Sequence, residues 1–131
     1  MARPSWILPD GLEECLPDEA WAIEDGRRLC LDLYRQKNFG LIMPPMLEYF
    51  DSLTSGVGHD LADQTMVVTD RLSGRLMGIR ADMTPKAARI DAHSLNESGI
   101  TRLCYCGSVL RAMPLSGDSS RSPVQLGAEV F

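Results

Sequence analysis

The sequence predicts an α+β domain in which antiparallel strand pairs lie against helices, and three observations predict it. Residues 18–37 carry apolar side chains at helical spacing. Residues 66–80 and 104–130 each read as two extended runs joined by a turn. Proline and glycine punctuate the boundaries between these segments. The 131 residues are 44% apolar and 24% charged, a globular composition for one domain with a modest core. A net charge of −5 with no run of basic residues argues against a nucleic-acid-binding face, because phosphate binding rests on clustered Lys and Arg.

At the N-terminus, Trp6, Ile7 and Leu8 precede the turn-forming Pro9-Asp10-Gly11 and are expected to dock as an extended arm. No continuous apolar segment occurs there, so neither a signal peptide nor a membrane span is expected, and a soluble cytoplasmic protein is. Pro17, Asp18 and Glu19 open a helix expected over Asp18–Lys37, since proline suits the first position and acids suit the positive end of the dipole. Ala22, Gly26, Leu29, Cys30 and Leu33 form its stripe, with Glu24, Arg28 and Asp32 on the other side and Gly26 marking a close approach. Asn38-Phe39-Gly40 stops it, and Leu41-Ile42-Met43 is a short strand ended by Pro44 and Pro45.

Ser55–Asp63 reads as a loop carrying a solvated His59. Its Gly56-Val57-Gly58 lacks the third glycine and the strand-to-helix context of a dinucleotide fingerprint. Met66–Asp70 and Leu76–Arg80 form a hairpin through Ser73-Gly74. Thr84 then caps a helix over Pro85–Asn96, with Ala88, Ala92 and Leu95 inward and Gly99 as its stop, which leaves Asp82 just before the helix start. Asp91 and His93 are two apart and do not face each other on a helix, so they are not a metal pair. Cys15, Cys30, Cys104 and Cys106 lack CxxC spacing, share one strand face at the last two positions, and read as reduced core thiols. Neither a metal site nor a cofactor is expected.

The most informative spacing lies in the last hairpin, Cys104–Met113 and the run after Pro123. A strand's period of two places Gln125, Gly127 and Glu129 on one face and Val124, Leu126, Ala128 and Val130 on the other. An amide and a carboxylate flanking a glycine can accept hydrogen bonds from an ammonium or imidazole, and the glycine can let a ligand near the backbone. Arg111 adds a fixed cation. The same alternation also occurs on any half-solvated antiparallel strand.

The residues LR…R.PVQLGAEVF resemble motif 2 of the class II aminoacyl-tRNA synthetases, in the form found in the histidyl-tRNA synthetases. The helix, short strand and proline ahead of Glu48 resemble motif 1 of the same class, and the two occur in the family's order. RADMTP, residues 80–85, stands where those synthetases carry an L-R-P-E-G-T type segment. The resemblance implies a class II synthetase-like core of which this chain supplies an N-terminal portion, without motif 3. It implies a histidine site built from Asp82, Thr84, Gln125 and Glu129, a phosphate-binding role for Arg111 and Arg121, and dimerisation through the motif 1 helix and strand.

One departure redirects the expected activity. After the motif 2 arginine the synthetases carry a His-Glu pair that helps to hold ATP, whereas Arg111 is followed by Ala112-Met113. The runs LRADMTPKAARIDAHSLN and RLCYCGSVLR look closer to the non-catalytic paralogues, the regulatory subunits of ATP phosphoribosyltransferase. That resemblance implies no catalytic residue and no nucleic-acid partner. It also implies assembly with the short-form catalytic subunit in histidine biosynthesis, and feedback inhibition by histidine. A fragment of a genuine histidyl-tRNA synthetase and a free-standing amino-acid-binding domain are the alternatives.

Overall fold

A computed structural model describes residues 6–56, 58–115, 117 and 120–131. Residue 57 of the Gly-Val-Gly segment, residues 116, 118 and 119 of the long hairpin loop and residues 1–5 lie outside the described residues. The first helix, α1, spans Pro17–Gln36, with Pro17 at its first turn and Asn38 ending it in a left-handed conformation at φ 63°. Its half-buried positions are Ala20, Glu24, Arg27, Cys30, Leu31 and Tyr34, so the expected stripe is corrected at every residue but Cys30. Leu29 and Leu33 are 74% and 52% exposed, and nothing lies within 4 Å of a Cβ built at Gly26. Arg27 and Arg28 both pair with Glu24, and the Arg27 stem can cover apolar surface while its head stays paired, which apolar spacing cannot reveal.

Beyond α1 the chain builds two three-stranded sheets. In the first, β1 (Gly40–Leu41) runs parallel to β5 (Arg102–Ser108), which pairs antiparallel with β6 (Val124–Val130). The α+β class therefore holds with one parallel edge, and β1 is shorter and earlier than the expected 41–43 strand. In the second sheet β2 (Leu47–Tyr49) and β3 (Val67–Thr69) flank β4 (Leu76–Ile79), all antiparallel. The β3–β4 pair is the expected hairpin, its turn held by Asp70, which accepts bonds from Leu72 N–H and Ser73 Oγ. Strand β2 and the helices α2 (Phe50–Thr54) and α3 (His59–Asp63) were not legible, and α3 replaces most of the expected loop. Segments of three to five residues are too short to show a period.

Helix α4 (Thr84–Arg89) continues as a π-helical turn over Ile90–Leu95 and ends at Asn96, φ 46°, before the expected Gly99. Thr84 is its first residue rather than its cap. Lys86 and Ala87 are the buried residues, while Ala88, Ala92 and Leu95 are exposed, so the expected inward face is also corrected. The wider π turn resets the register beyond Arg89, and a charge pair rather than apolarity takes Lys86 inside. Met83, Ala87, Tyr105 and Val109, with Ile42 against them, form the core.

Arg80 joins the two sheets. Its Nε donates to Ser108 O at 2.8 Å and its Nη1 to Pro44 O at 2.7 Å, while Leu110 N–H donates to the Arg80 carbonyl. At Gly107 a Cβ would stand 2.8 Å from Arg80 Nη2, so the guanidinium uses the room that a side chain would take. The N-terminal arm does not dock by its apolar residues, since Trp6 and Ile7 are 73% and 66% exposed. Arg121 instead holds the Pro9–Gly11 turn, its backbone N–H donating to Gly11 O and its Nη1 to Asp10 O. All four cysteines are free. Cys104 is buried, Cys30 and Cys106 are half-buried, and Cys15 is exposed, against the expectation of a core thiol.

Candidate functional site

The register of β5 on β6 sets Gly127 opposite Tyr105, Glu129 opposite Leu103 and Gln125 opposite Gly107. The loop from Arg80 into α4 crosses the face that carries Gln125 and Glu129. There the four residues expected to share a site meet. Gln125 Nε2 donates to Asp82 Oδ1 at 2.9 Å, and its Oε1 accepts from the buried Met83 N–H at 2.8 Å. Both ends of the amide are thus engaged, and these partners fix its orientation. Asp82 Oδ1 also accepts from Thr84 N–H at 3.2 Å, an Asx turn that starts α4.

Glu129 Oε1 accepts from Thr84 Oγ1 at 2.9 Å and from Tyr105 Oη at 3.0 Å. The two hydroxyls lie 3.2 Å apart. Each has one proton, and with both given to the carboxylate that contact is proximity. Burial pushes the Tyr105 phenol up, the Thr84 contact opposes this, and the Glu129 and Asp82 charges add to the rise. Tyr105 therefore stays a neutral donor. It was not singled out from the sequence: the expected first run to Met113 would have set a different register, and Tyr105 meets Gly127 because β5 ends at Ser108, which pairs with Val124.

Gly127 serves this ring and not the expected ligand approach, because a Cβ there would lie 2.7 Å from Tyr105 Oη. Asp82 and Arg111 line one cavity of about 290 Å³ together with Asp60, Leu61, Gln64 and Leu115. Thr84, Gln125 and Glu129 do not line that cavity; Thr84 and Gln125 are joined to it only by their bonds to Asp82. Arg121 is committed elsewhere: Nε donates to Arg111 O at 3.2 Å, Nη1 to Asp10 O at 3.0 Å and Nη2 to Met66 Sδ at 3.2 Å. Beyond Arg111, the Ala112 N–H donates to Gln64 O at 2.9 Å and the Met113 N–H to Gln64 Oε1 at 3.3 Å.

A second polar cluster, not anticipated, joins β2 to α4. Glu48 accepts from Lys86 Nζ at 2.5 Å and pairs with Arg89. Burial and then the Arg80 charge pull the Lys86 ammonium down to about 8, and the Glu48 carboxylate against it favours the charged form. A lysine in an alanine-rich helix gives no signal that it will be buried. Among the described residues no helix is long and apolar enough to cross a membrane, and no group of three or more His, Cys, Asp or Glu could hold a metal ion.

Residues 11–131 match the sequence profile described as histidyl-tRNA synthetase. The chain is similar to the ATP phosphoribosyltransferase regulatory subunits of Azoarcus sp. (strain BH72), 53% identical over 96% of this chain and 33% of the relative, and of Marinomonas sp. (strain MWYL1), 55% identical over 96% of this chain and 32% of the relative. It spans about a third of the length of the curated relatives it matches. Among solved structures it is similar to an ATP phosphoribosyltransferase regulatory subunit/histidyl-tRNA synthetase from Bacillus halodurans C, with a TM-score of 0.79, 26% identity, and coverage of 99% of this chain and 33% of that one. Apo S. aureus histidyl-tRNA synthetase shares the fold, with a TM-score of 0.70 at 20% identity over 94% of this chain and 28% of that one.

Proposed function

This chain belongs to the histidyl-tRNA synthetase family, and we propose that within a longer protein it works as a non-catalytic regulatory subunit of ATP phosphoribosyltransferase. In this reading it forms the N-terminal part of a class II core, with motif 3 supplied by the remainder of that longer protein. It is cytoplasmic and acts in histidine biosynthesis beside the short catalytic subunit. The carrying observation is the convergence of Asp82, Thr84, Gln125 and Glu129 in one hydrogen-bonded cluster, next to a segment whose backbone donors are already bound to Gln64. The same name on relatives 53% and 55% identical supports it.

The physical division of labour follows from charge. The carboxylates of Asp82 and Glu129 retain lone pairs beyond the bonds they accept, and they suit the ammonium of an amino acid. Arg111, which shares the Asp82 cavity, suits its carboxylate. Free histidine is the ligand proposed. Gln125 holds the loop that carries Asp82. Tyr105 and Thr84 hold Glu129 in one orientation, so the acids meet the ligand without being reordered. ATP chemistry fits less well, since Ala112 and Met113 offer no polar side chain and their N–H groups are spent on Gln64.

Helix α1 supports a homodimer. Leu29 and Leu33 lie exposed on one side, and β1 is the outer strand of its sheet. Addition of the full-length protein to the short catalytic subunit should raise phosphoribosyl transfer, and histidine should lower it. Absence of stimulation would overturn the regulatory reading, and histidine-dependent exchange of pyrophosphate into ATP by the isolated protein would favour a synthetase instead.

A further inference from the structure

The cavity between α2 and α4 is lined by Ser52, Ser55, Lys86, Arg89 and His93 and has a volume of about 290 Å³. Its charges do not balance, since Lys86 and Arg89 share the single carboxylate of Glu48. Lys86 is only 2% exposed, so its ammonium cannot recover full hydration at the surface. Arg80 adds a third positive charge close enough to act on Lys86. Two hydroxyls and an imidazole complete the mouth of a cavity whose inner wall is cationic.

We propose that this cavity is an anion site that takes the phosphate group of a small metabolite. A tetrahedral phosphate has enough oxygens to accept at once from the Arg89 guanidinium and two hydroxyls, with the buried Lys86 charge behind them, whereas a carboxylate offers two oxygens in one plane. Arg89 has five N–H donors, and its contact with Glu48 uses the Nη2 end. Bound phosphate would supply the negative charge that Glu48 alone does not. The site is separate from the Asp82 cluster, whose cavity shares none of these lining residues.

The test is calorimetric titration of the full-length protein with inorganic phosphate, pyrophosphate, ribose 5-phosphate and acetate. The three phosphates should bind, and acetate should bind at least about tenfold more weakly. Direct replacement of Arg89 or Lys86 would strand Glu48, so the exposed mouth is changed instead. Joint replacement S52A/S55A should weaken phosphate binding by about tenfold, and S52D, which sets a carboxylate at the mouth, should weaken it more. Ribose 5-phosphate tighter than inorganic phosphate would identify a sugar phosphate as the source, and the reverse order would identify the free ion. No binding up to about 20 mM would overturn the proposal, as would binding that these variants leave unchanged. Loss of phosphate binding in Asp82→Ala or Arg111→Ala but not in S52D would place the anion in the other cavity and also overturn it.

Discussion

Replacing Gln125 by alanine tests whether this residue holds the site together rather than simply lining it. The side chain carries two bonds, from Met83 N–H at 2.8 Å and to Asp82 at 2.9 Å, and the first partner belongs to a residue only 1% exposed. Loss of Oε1 leaves a buried backbone donor unpaired, at about 1–3 kcal/mol, and loss of the half-buried bond to a carboxylate adds about 1 kcal/mol. Gln125→Ala in the full-length protein should therefore lose about 2–4 kcal/mol in chemical denaturation. Gln125→Glu keeps an acceptor for Met83 but puts a second carboxyl against Asp82. Two carboxylates at that distance cannot both ionise cheaply, so the pair holds a proton that the unfolded chain releases. A carboxyl whose folded-state pKa is raised stabilises at low pH and loses that contribution as pH rises through the folded value. Gln125→Glu should thus approach parental stability at about pH 5 and fall short of it at about pH 8. A loss below about 0.5 kcal/mol for Gln125→Ala, or a Gln125→Glu penalty that does not change with pH, would refute the reasoning.

Four other outcomes are expected from the same geometry. On the proposed function, Asp82→Ala or Glu129→Ala in the full-length protein should weaken histidine binding by about ten- to a hundredfold in calorimetry, the equivalent of one charge-assisted hydrogen bond, while leaving the proposed assembly with the catalytic subunit intact. Gly127→Ala forces a Cβ to 2.7 Å from Tyr105 Oη, and thermal unfolding should register a loss of about 1–3 kcal/mol from overpacking. Glu48→Gln leaves the Lys86 and Arg89 charges without their partner and should cost about 3–5 kcal/mol by denaturant titration. The Arg27 hydrogen bond, with further help from Arg28, holds the Glu24 carboxyl down at about 2. A depressed carboxyl stabilises above its unfolded value near 4.5 and loses that contribution as pH falls toward 2. Circular dichroism should therefore show α1 losing support across that window, and Arg27→Ala should remove that part of the acid response.

The elements that rest on local rules were legible in the chain alone. Pro17 and the acids after it open α1, Asn38 ends it, Ser73-Gly74 turns one hairpin, and the alternation in Val124–Val130 puts Gln125, Gly127 and Glu129 on one face. The resemblance supplied the expectation that Asp82 and Thr84 face that strand. How they do so depended on the assembled fold, since the contacts span 42 to 45 residues of chain and require the Arg80 loop to cross the sheet. Packing between elements also chose which side of each helix is inward. Apolar period proposed Leu29 and Leu33 for α1 and Ala88 and Ala92 for α4, yet the packed sides carry Arg27, Leu31 and Tyr34, and Lys86 and Ala87. Periodicity reports where a helix is apolar, which includes any face left open to a partner. A charged side chain goes inside when its counter-charge comes from another element, as Glu48 comes to Lys86 across 38 residues, and no local pattern encodes that meeting.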